Sequence, residues 1–319
     1  MTCLLRRRLA GLLAGAALMG LHAIAAAALP VKAQPVAPGV YAVIGEAALG
    51  SPANRNFISN AGFIVTDGGV VVIDALGSPA LANDLVAQIR QVTQQPIRYV
   101  IATHYHADHI YGLQVFKEQG ATIIANAGGR EYLNSDTARL RLEASRSELA
   151  PWIDAGTHLV PADRWLDEEQ STLEVGSQKL RLLHVGPAHT PEDLAIYVEG
   201  SGVLFSGDLV FRERIPFVGQ ADSRRWIASL DRLIALHPRV VVPGHGPPST
   251  LPESDLALTR DYLVYLRKTM AEAAQNLEPF EDAYAKADWS RFEHLPLFKA
   301  ANRMNAYNTY LLLEQQDKP

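Results

Sequence analysis

The chain has 319 residues, of which 48% are hydrophobic and 20% charged, and its formal net charge is −5. This composition is typical of a soluble protein with one large domain or two small ones, long enough to bury a sizeable core. Without residues 1–33 the charge falls from −5 to −9, because that segment holds four basic residues and no acidic ones. Phosphate backbones call for basic surfaces, so the acidic balance argues against a nucleic-acid partner.

The first residues have the pattern of an export signal. Residues 6–8 are all arginine, and residues 9–28 form an apolar stretch rich in Ala and Leu. A basic segment followed by an apolar one predicts a signal peptide cleaved after Ala28 or Ala33, and therefore a periplasmic or secreted protein. The consecutive arginines also permit a twin-arginine signal. A retained membrane anchor is the alternative, because roughly 18 apolar residues can begin to span a bilayer.

Cys3 is the only cysteine, and it lies inside this leader. The mature chain therefore has no thiol. An internal disulfide and a thiolate metal ligand are both excluded, so stability is expected to come from the core and from any bound metal.

The first half of the chain alternates strand and helix patterns. An apolar run that ends at Asp74 predicts a strand buried on both faces, and a Gly/Asn/Ser-rich loop at 45–61 could hang over a site. The order of elements predicts an α/β fold. In chain order we expect strands at 40–44, 62–66, 70–74 and 97–102 and helices at 79–92 and 107–119.

The second half repeats this arrangement, which indicates an internal pseudo-duplication. Strands are expected at 180–185, 194–198, 203–206 and 240–242, with a helix at 224–236. A charged insertion at 129–154 is predicted to be an outer helix, with a lid or a dimer contact as the alternative. We divide the chain into a leader at 1–33, a catalytic domain at 34–250 and a C-terminal helical extension at 251–319.

Residues 103–109 read Thr-His-Tyr-His-Ala-Asp-His and directly follow a predicted strand. In the tight turn after a strand, His104 and His106 can converge on one point while Asp108 and His109 face another. Imidazole and carboxylate are suitable ligands for Zn²⁺. Three later residues, His189, Asp208 and His245, also come just after apolar segments. Together they predict a site with two metal positions.

This set of motifs resembles the metallo-β-lactamase superfamily, over about residues 40–248. The resemblance implies a fold that the residues alone do not give: an αββα sandwich of two mixed sheets flanked by helices. It also implies two Zn²⁺ ions. Their ligands would be His104, His106 and His189 at the first ion and Asp108, His109 and His245 at the second, with Asp208 bridging both.

The resemblance further implies a hydrolase in which metal-bound hydroxide attacks the carbonyl of an ester, thioester, lactone or lactam. Asp108 could orient the water or shuttle its proton. Because Asp208 is present and the mature chain has no cysteine, the site looks more like that of glyoxalase II than that of a dedicated β-lactamase. The leader and the segments around residues 60–65, 187–189 and 207–208 also resemble exported hydrolases associated with sulfur oxidation or quinoprotein pathways.

Three alternatives stay open. The chain could be a β-lactamase proper. His104, His189 and Asp208 alone could instead hold one Fe²⁺, as in the persulfide dioxygenases of this superfamily. The third alternative is a binding module that has lost its metal, although the presence of all seven ligands argues against it. Flavodiiron proteins are disfavoured, since they have Glu where this chain has His106.

Other candidates depend on weaker signals. Asp74 could hold a ligand loop through a hydrogen bond or simply end a strand. Tyr105 could contact substrate, although packing is the more ordinary role. Arg212 and Arg214 could clamp a substrate carboxylate or sulfo group, or form surface salt bridges. The expected partner is a small-molecule substrate, with no stable membrane association after leader cleavage; nothing in the sequence sets the oligomeric state.

Overall fold

The computed structural model describes residues 30–219 and 221–316. Two β-sheets of seven and five strands pack face to face. Alternate apolar side chains such as Ile73 and Ile101 from one sheet meet Leu182 and Ile196 from the other in a buried layer. Helices cover both outer faces, so the expected αββα sandwich of two mixed sheets is confirmed.

The first sheet runs in chain order and changes from antiparallel to parallel pairing at its fourth strand. In the second sheet only the pairing of the last two strands is parallel. The strands of the first sheet are β1 (Ala33–Ala37), β2 (Val40–Val43), β3 (Ala61–Thr66), β4 (Gly69–Ile73), β5 (Ile97–Ile101), β6 (Thr122–Asn126) and β7 (Arg164–Leu166). Those of the second are β8 (Gln170–Val175), β9 (Gln178–His184), β10 (Leu194–Val198), β11 (Val203–Phe211) and β12 (Val240–His245).

The helices of the described residues are α1 (Pro79–Val92), α2 (Ala107–Ile110), α3 (Leu113–Glu118), α4 (Gly129–Leu133), α5 (Asp136–Glu148), α6 (Ser223–Ile234), α7 (Pro252–Gln275), α8 (Phe280–Lys286) and α9 (Phe298–Gln316). Helices α1 to α5 pack on the first sheet, and α6 to α9 pack on the second. Within residues 30–219 and 221–316, no helix has the length and apolar character needed to cross a bilayer.

Helix α1 matches the predicted bounds of 79–92, and its ends show why. The Ser78 side chain accepts a hydrogen bond from the Leu81 amide, and proline occupies the first turn, where its missing N–H costs nothing. Leu85 and Ile89 continue the buried face at helical spacing.

The predicted helix at 107–119 is wrong as a single helix, because the chain turns at Tyr111 and Gly112 between α2 and α3. A side chain at position 112 would overlap the carbonyl oxygen of Ala75. The close approach of these two backbones therefore requires glycine and interrupts the helix. The interruption leaves α2 as a short turn that carries Asp108 and His109.

Candidate metal centre

All seven predicted ligands come together at one edge of the sandwich. Residues 104–109 follow β5 in the first sheet, whereas the other three belong to the second sheet. His189 lies in the β9–β10 loop, and His245 ends β12. Asp208 was expected just after a strand but lies within β11, where the β11–β12 pairing becomes irregular and Gly207 has a φ of +51°. The irregularity therefore lies beside Asp208, the residue of β11 that faces the other predicted ligands.

The first group of possible ligands contains His104, His106, His189 and Asp208. His106 Nδ1 lies 3.1 Å from His104 Nε2 and 3.1 Å from His189 Nε2. The Oδ2 atom of Asp208 lies 3.4 Å from His189 Nε2 and 3.8 Å from His104 Nε2. One atom from each of the four side chains therefore lies within 4.8 Å of the others.

The second group contains Asp108, His109 and His245. Asp108 Oδ2 lies 3.6 Å from His109 Nε2 and 3.4 Å from His245 Nε2. Asp208 also faces this group, because its Oδ1 is 3.1 Å from His109 Nε2 and its Oδ2 is 3.2 Å from His245 Nε2. Asp208 is therefore a neighbour of histidines from both groups.

These distances suit bound cations. Four ligands at about 2.0–2.2 Å from a tetrahedral Zn²⁺ lie about 3.3–3.6 Å from one another, which is close to the spacings in both groups. His109 Nε2 and Asp208 Oδ1 are buried, and although they lie 3.1 Å apart, neither has hydrogen-bond geometry to the other or to another group of the described residues. Buried polar atoms of this kind normally have a partner, and a cation between them would supply it. The donor set therefore fits a metal.

The electrostatics of the site favour ligands in their metal-binding forms. Burial lowers the pKa of His189 to about 3 and holds the pKa of His104 well below its usual range, so both imidazoles are neutral. Burial opposes ionisation of Asp208, but His245 and His109 outweigh it and hold the pKa of Asp208 well below its ordinary value. Asp208 is therefore an anion at neutral pH.

His109 differs from the other histidines. Burial disfavours its charged form, yet Asp208, Asp108 and Asp74 outweigh burial and raise the pKa of His109 well above 6.5. In the absence of metal this ring therefore carries a proton on each nitrogen. Because a ligand nitrogen must be deprotonated, metal binding at the second group would release that proton.

Asp74 supports both the turn and His109. Its Oδ1 accepts from the Thr103 amide and its Oδ2 from the Thr103 hydroxyl, each at 2.8 Å. Oδ2 also lies 2.9 Å from His109 Nδ1. Of the two interpretations of Asp74, the geometry favours the hydrogen bond that holds a ligand loop.

Two buried carboxylates, Glu192 and Asp193, support the ligand loops and were not predicted from the sequence. Glu192 accepts from the Tyr105 amide at 3.2 Å and thereby joins the loop of His104 to the loop of His189. Asp193 accepts from both the amide and the hydroxyl of Thr190, each at 2.8 Å. Burial raises the pKa of Asp193 well above its usual value. The adjacent acidic pair directly after His189-Thr190-Pro191 was the available signal.

Two weaker candidates lie away from the reacting groups. Tyr105 is fully buried, its ring stacks on Trp165 at 5.9 Å, and its hydroxyl faces the Val160 carbonyl at 3.5 Å, so it packs in the core and does not contact a substrate. Arg212 is held outside the site by Asp255, whose Oδ2 lies 2.9 Å from Arg212 Nε. The salt-bridge interpretation of Arg212 therefore fits.

Two adjoining cavities meet at the predicted metal ligands. The first, of about 580 Å³, is lined by Leu49, Ile58, Arg141 and Arg214 and by the predicted ligands Asp108, Asp208 and His245. The second, of about 500 Å³, reaches Met304 on α9. His106, His189, Tyr132, Thr137 and Phe217 line both. A ligand can therefore lie on either side of the cluster.

A sandwich of two mixed sheets with histidine and aspartate ligands at one edge is the architecture of a class of metal-dependent hydrolases. The family model of the metallo-β-lactamase superfamily matches residues 54–245. The chain belongs to that superfamily.

Similar proteins include two kinds of hydrolase. A linear primary-alkylsulfatase from Pseudomonas sp. is 26% identical over 251 residues, which are 67% of this chain and 47% of the relative. A metallo-β-lactamase type 2 from Bacillus sp. is 25% identical over 59% of this chain and 66% of the relative. The chain thus spans only about half the length of the alkylsulfatase.

Solved structures agree on the fold. A stereoselective inverting sec-alkylsulfatase from Pseudomonas sp. superposes with a TM-score of 0.70 at 18% identity, covering 88% of this chain and 50% of the other. A metallo-β-lactamase from Pontibacter korlensis gives 0.56 at 23% identity, covering 73% and 98%. Because residues 34–250 make up only about two thirds of this chain, the alkylsulfatase match must include residues of the C-terminal helices.

Proposed function

We propose that the protein is a dinuclear metal-dependent hydrolase, with zinc as the expected ion, that cleaves a small ester, thioester, lactone or lactam. The observation that carries this proposal is the position of Asp208. Its two oxygens lie 3.1–3.8 Å from histidine nitrogens of both ligand groups. Two cations held close together need an anion between them, and Asp208 would supply it.

Two zinc ions, when bound, supply Lewis acidity and lower the pKa of a bound water towards about 7. Residues of the chain would supply the ligands, the negative charge and the proton transfer. The neutral rings of His104 and His189 offer lone pairs, and Asp208 supplies the shared negative charge. Asp108 is the more exposed carboxylate, with 17% of its side chain accessible against 5% for Asp208. Asp108 can therefore reach the cavity, accept a proton from water and pass it to the leaving group.

The relatives suggest two related substrate classes. One class is the alkyl sulfates. They are suggested by the alkylsulfatase relative and by the sec-alkylsulfatase structure, whose match extends into the C-terminal helices. The other is the β-lactams, named for the relatives matched over about two thirds of their length. Mononuclear iron is less well supported, because His106 and the whole second group would then have no role.

Export of the protein is part of the proposal and rests on the basic and apolar leader, which lies outside the described residues except for its last four. Val31 is buried, and β1 begins at Ala33, whose amide donates to Gln88 Oε1 at 3.1 Å. Cleavage after Ala28 leaves these contacts intact, whereas cleavage after Ala33 removes them. N-terminal sequencing of the protein from a periplasmic fraction tests both the export and the cleavage position.

The test of the hydrolase proposal is metal analysis of the mature protein together with a hydrolysis screen. We expect about two zinc ions per chain and turnover within a panel of thioesters, lactones, aryl esters, alkyl sulfates and β-lactams. Asp208→Asn, which keeps the shape and removes the charge, should lower both metal content and turnover, the latter by about 100-fold or more. One iron per chain, with oxygen uptake and sulfite formation from a persulfide, would overturn the proposal.

A further inference from the structure

Two separate segments of the chain form walls of the 580 Å³ cavity. One is the β2–β3 loop (residues 44–60), and the other is the charged insertion at 129–154. The loop contributes Leu49, Gly50 and Ile58, and the insertion contributes Tyr132, Arg141 and Leu149. The separation between the loop and the insertion therefore sets the width of the cavity beside the predicted metal ligands.

Trp152, near the end of the insertion, joins the two walls. Its Nε1 donates to the carbonyl oxygen of Pro52 at 2.7 Å. The central guanidinium carbon of Arg55 lies 5.0 Å from the centroid of the Trp152 ring, which is a cation–π distance. Pro52 and Arg55 both belong to the β2–β3 loop. One side chain of the insertion therefore holds the loop through a hydrogen bond and a cation–π contact.

The loop is cross-linked internally, so the hold on Pro52 and Arg55 extends to the residues that line the cavity. The buried side chain of Asn54 accepts from the Ser51 amide at 2.9 Å and donates to the Leu49 carbonyl oxygen at 2.9 Å. Arg55 has a φ of +59°, an uncommon conformation that the contacts around it must hold in place. A displacement of Pro52 would therefore carry Leu49 with it.

Trp152 can act as an anchor because the insertion is fixed to the core. Its neighbours Leu149 and Ile153 are 3% and 0% exposed and belong to the hydrophobic core that covers the first sheet. On α5, Ser145 Oγ lies 3.2 Å from the hydroxyl of Tyr111, which directly follows α2. The insertion is therefore tied to the turn that carries two of the predicted ligands.

We propose that Trp152 is a positioning residue that determines the size of the substrate. By fixing Pro52 and Arg55, it keeps the walls of the 580 Å³ cavity at one separation, so a substrate group too wide for that separation is excluded. A loop without this anchor would move away and admit wider groups. The substrate therefore places a compact group against Leu49 and Leu149. This inference rests on the proposed hydrolase function and deepens it.

Hydrogen exchange tests the anchor in the purified protein without requiring turnover. Trp152→Phe removes the hydrogen bond to Pro52 and keeps a ring for Arg55, whereas Trp152→Ala removes both contacts. The matched control is Trp289→Phe. It removes an indole hydrogen bond of the same kind, to the Tyr284 carbonyl oxygen at 3.2 Å, among the C-terminal helices.

The amides of Asn56 and Phe57, which donate to carbonyl oxygens within the loop, report on its opening. They should exchange about tenfold faster in Trp152→Ala, several-fold faster in Trp152→Phe and less than about twofold faster in Trp289→Phe. Should Trp152→Ala not fold, Trp152→Phe decides. Unchanged exchange in the folded Trp152 variants would overturn the anchor.

A pair of esters measures the size selection. Phenyl acetate and phenyl 1-naphthoate differ in the acyl group alone. In the wild type kcat/KM should favour the acetate. Trp152→Ala should shift the ratio about tenfold towards the naphthoate, and Trp289→Phe should leave it within about twofold. An equal loss for both esters would mean a general structural role for Trp152 and would overturn the size selection.

Binding of two thiols to the metal-loaded protein separates failure of this inference from failure of the proposed function. Thiolates are good ligands for Zn²⁺. Benzenethiol and naphthalene-1-thiol are titrated calorimetrically, and Trp152→Ala should raise the relative affinity for the larger thiol about fivefold to tenfold. If the wild type hydrolyses neither ester nor any member of the wider panel, the hydrolase proposal fails. The thiol titration then decides the size selection by itself, and an equal affinity ratio in both proteins overturns it.

Discussion

Asp74 and His109 face each other across 2.9 Å between Oδ2 and Nδ1. The contact fixes the ring so that its Nε2 points to Asp108 and Asp208, 3.6 Å and 3.1 Å away. Asp74 itself has a φ of +58°, which a non-glycine residue rarely adopts. The backbone holds an uncommon conformation at the residue that orients a predicted ligand.

Asp74→Asn should weaken the second metal position more than the first. An amide cannot accept through both of its side-chain heavy atoms, so the variant side chain would accept fewer hydrogen bonds from His109 and Thr103. Metal affinity at that position should fall about 10- to 100-fold. Stoichiometric titration with Co²⁺ or Zn²⁺ measures the effect, and Asp67→Asn, at the carboxylate that accepts from Ser177, is the matched control. Two equally tight ions in Asp74→Asn would contradict the prediction.

Removal of metal should lower the thermal stability. His109 Nε2 and Asp208 Oδ1 are buried and form no hydrogen bond among the described residues, so a bound ion stabilises the folded state alone. With free metal about 1,000-fold above Kd the gain is about 4 kcal/mol, or roughly 10 °C in Tm. Differential scanning calorimetry before and after chelation measures it. Zn²⁺ should restore the Tm, while Mg²⁺, which prefers oxygen ligands, should not; a Tm indifferent to chelation would count against a metal at these residues.

Acid should destabilise the metal-free protein through His189. Burial lowers the pKa of His189 to about 3, from 6.5. A histidine with a depressed folded-state pKa contributes stability fully above the unfolded pKa and loses it as pH falls from about 6.5 towards about 3. The difference in unfolding free energy between wild type and His189→Gln should therefore shrink between about pH 7.5 and about pH 4.5. Urea titrations measure it, with the exposed His158→Gln as control; a constant difference would show that the ring protonates freely in the folded state.

Asp193→Ala should destabilise the fold by about 2–4 kcal/mol, because it leaves the amide and hydroxyl of Thr190 without their acceptor. The exposed Asp167→Ala is the control and should change the unfolding free energy by less than about 0.5 kcal/mol. Urea denaturation gives both values. Equal stability of the two variants would mean that water replaces the Asp193 carboxylate without loss.

Much of the fold and of the site was predictable because the signals are local. The helix at 79–92 has its cap, its proline and its buried face within the segment itself. The ligands at 104–109 lie within six residues, so their convergence needs only a turn after a strand. The strand β8 (Gln170–Val175) was missed because its side chains are largely exposed and polar, as suits a sheet edge.

The features that could not be predicted from the sequence depend on contacts between distant residues and on single backbone angles. Glu192 meets the Tyr105 amide across 87 positions of the chain, and no local pattern marks such a contact. Arg212 and Arg214 are equivalent in sequence, and only the left-handed turn at Glu213 directs one outward and the other to the cavity. Tyr105 is a further example. It lies between two predicted ligands in the sequence, yet its side chain packs in the core.

Each ligand group draws on both halves of the sandwich. His104 and His106 come from the first sheet and His189 and Asp208 from the second, just as Asp108 and His109 are joined by His245. Bound ions would therefore act as non-covalent cross-links between ligands 83 to 137 residues apart in sequence, from His106 and His189 to Asp108 and His245. The chain has a single cysteine and therefore no internal disulfide. Chelation would remove the links between the two sheets at the edge with the ligands, whereas the apolar layer would still hold the rest of the sandwich together.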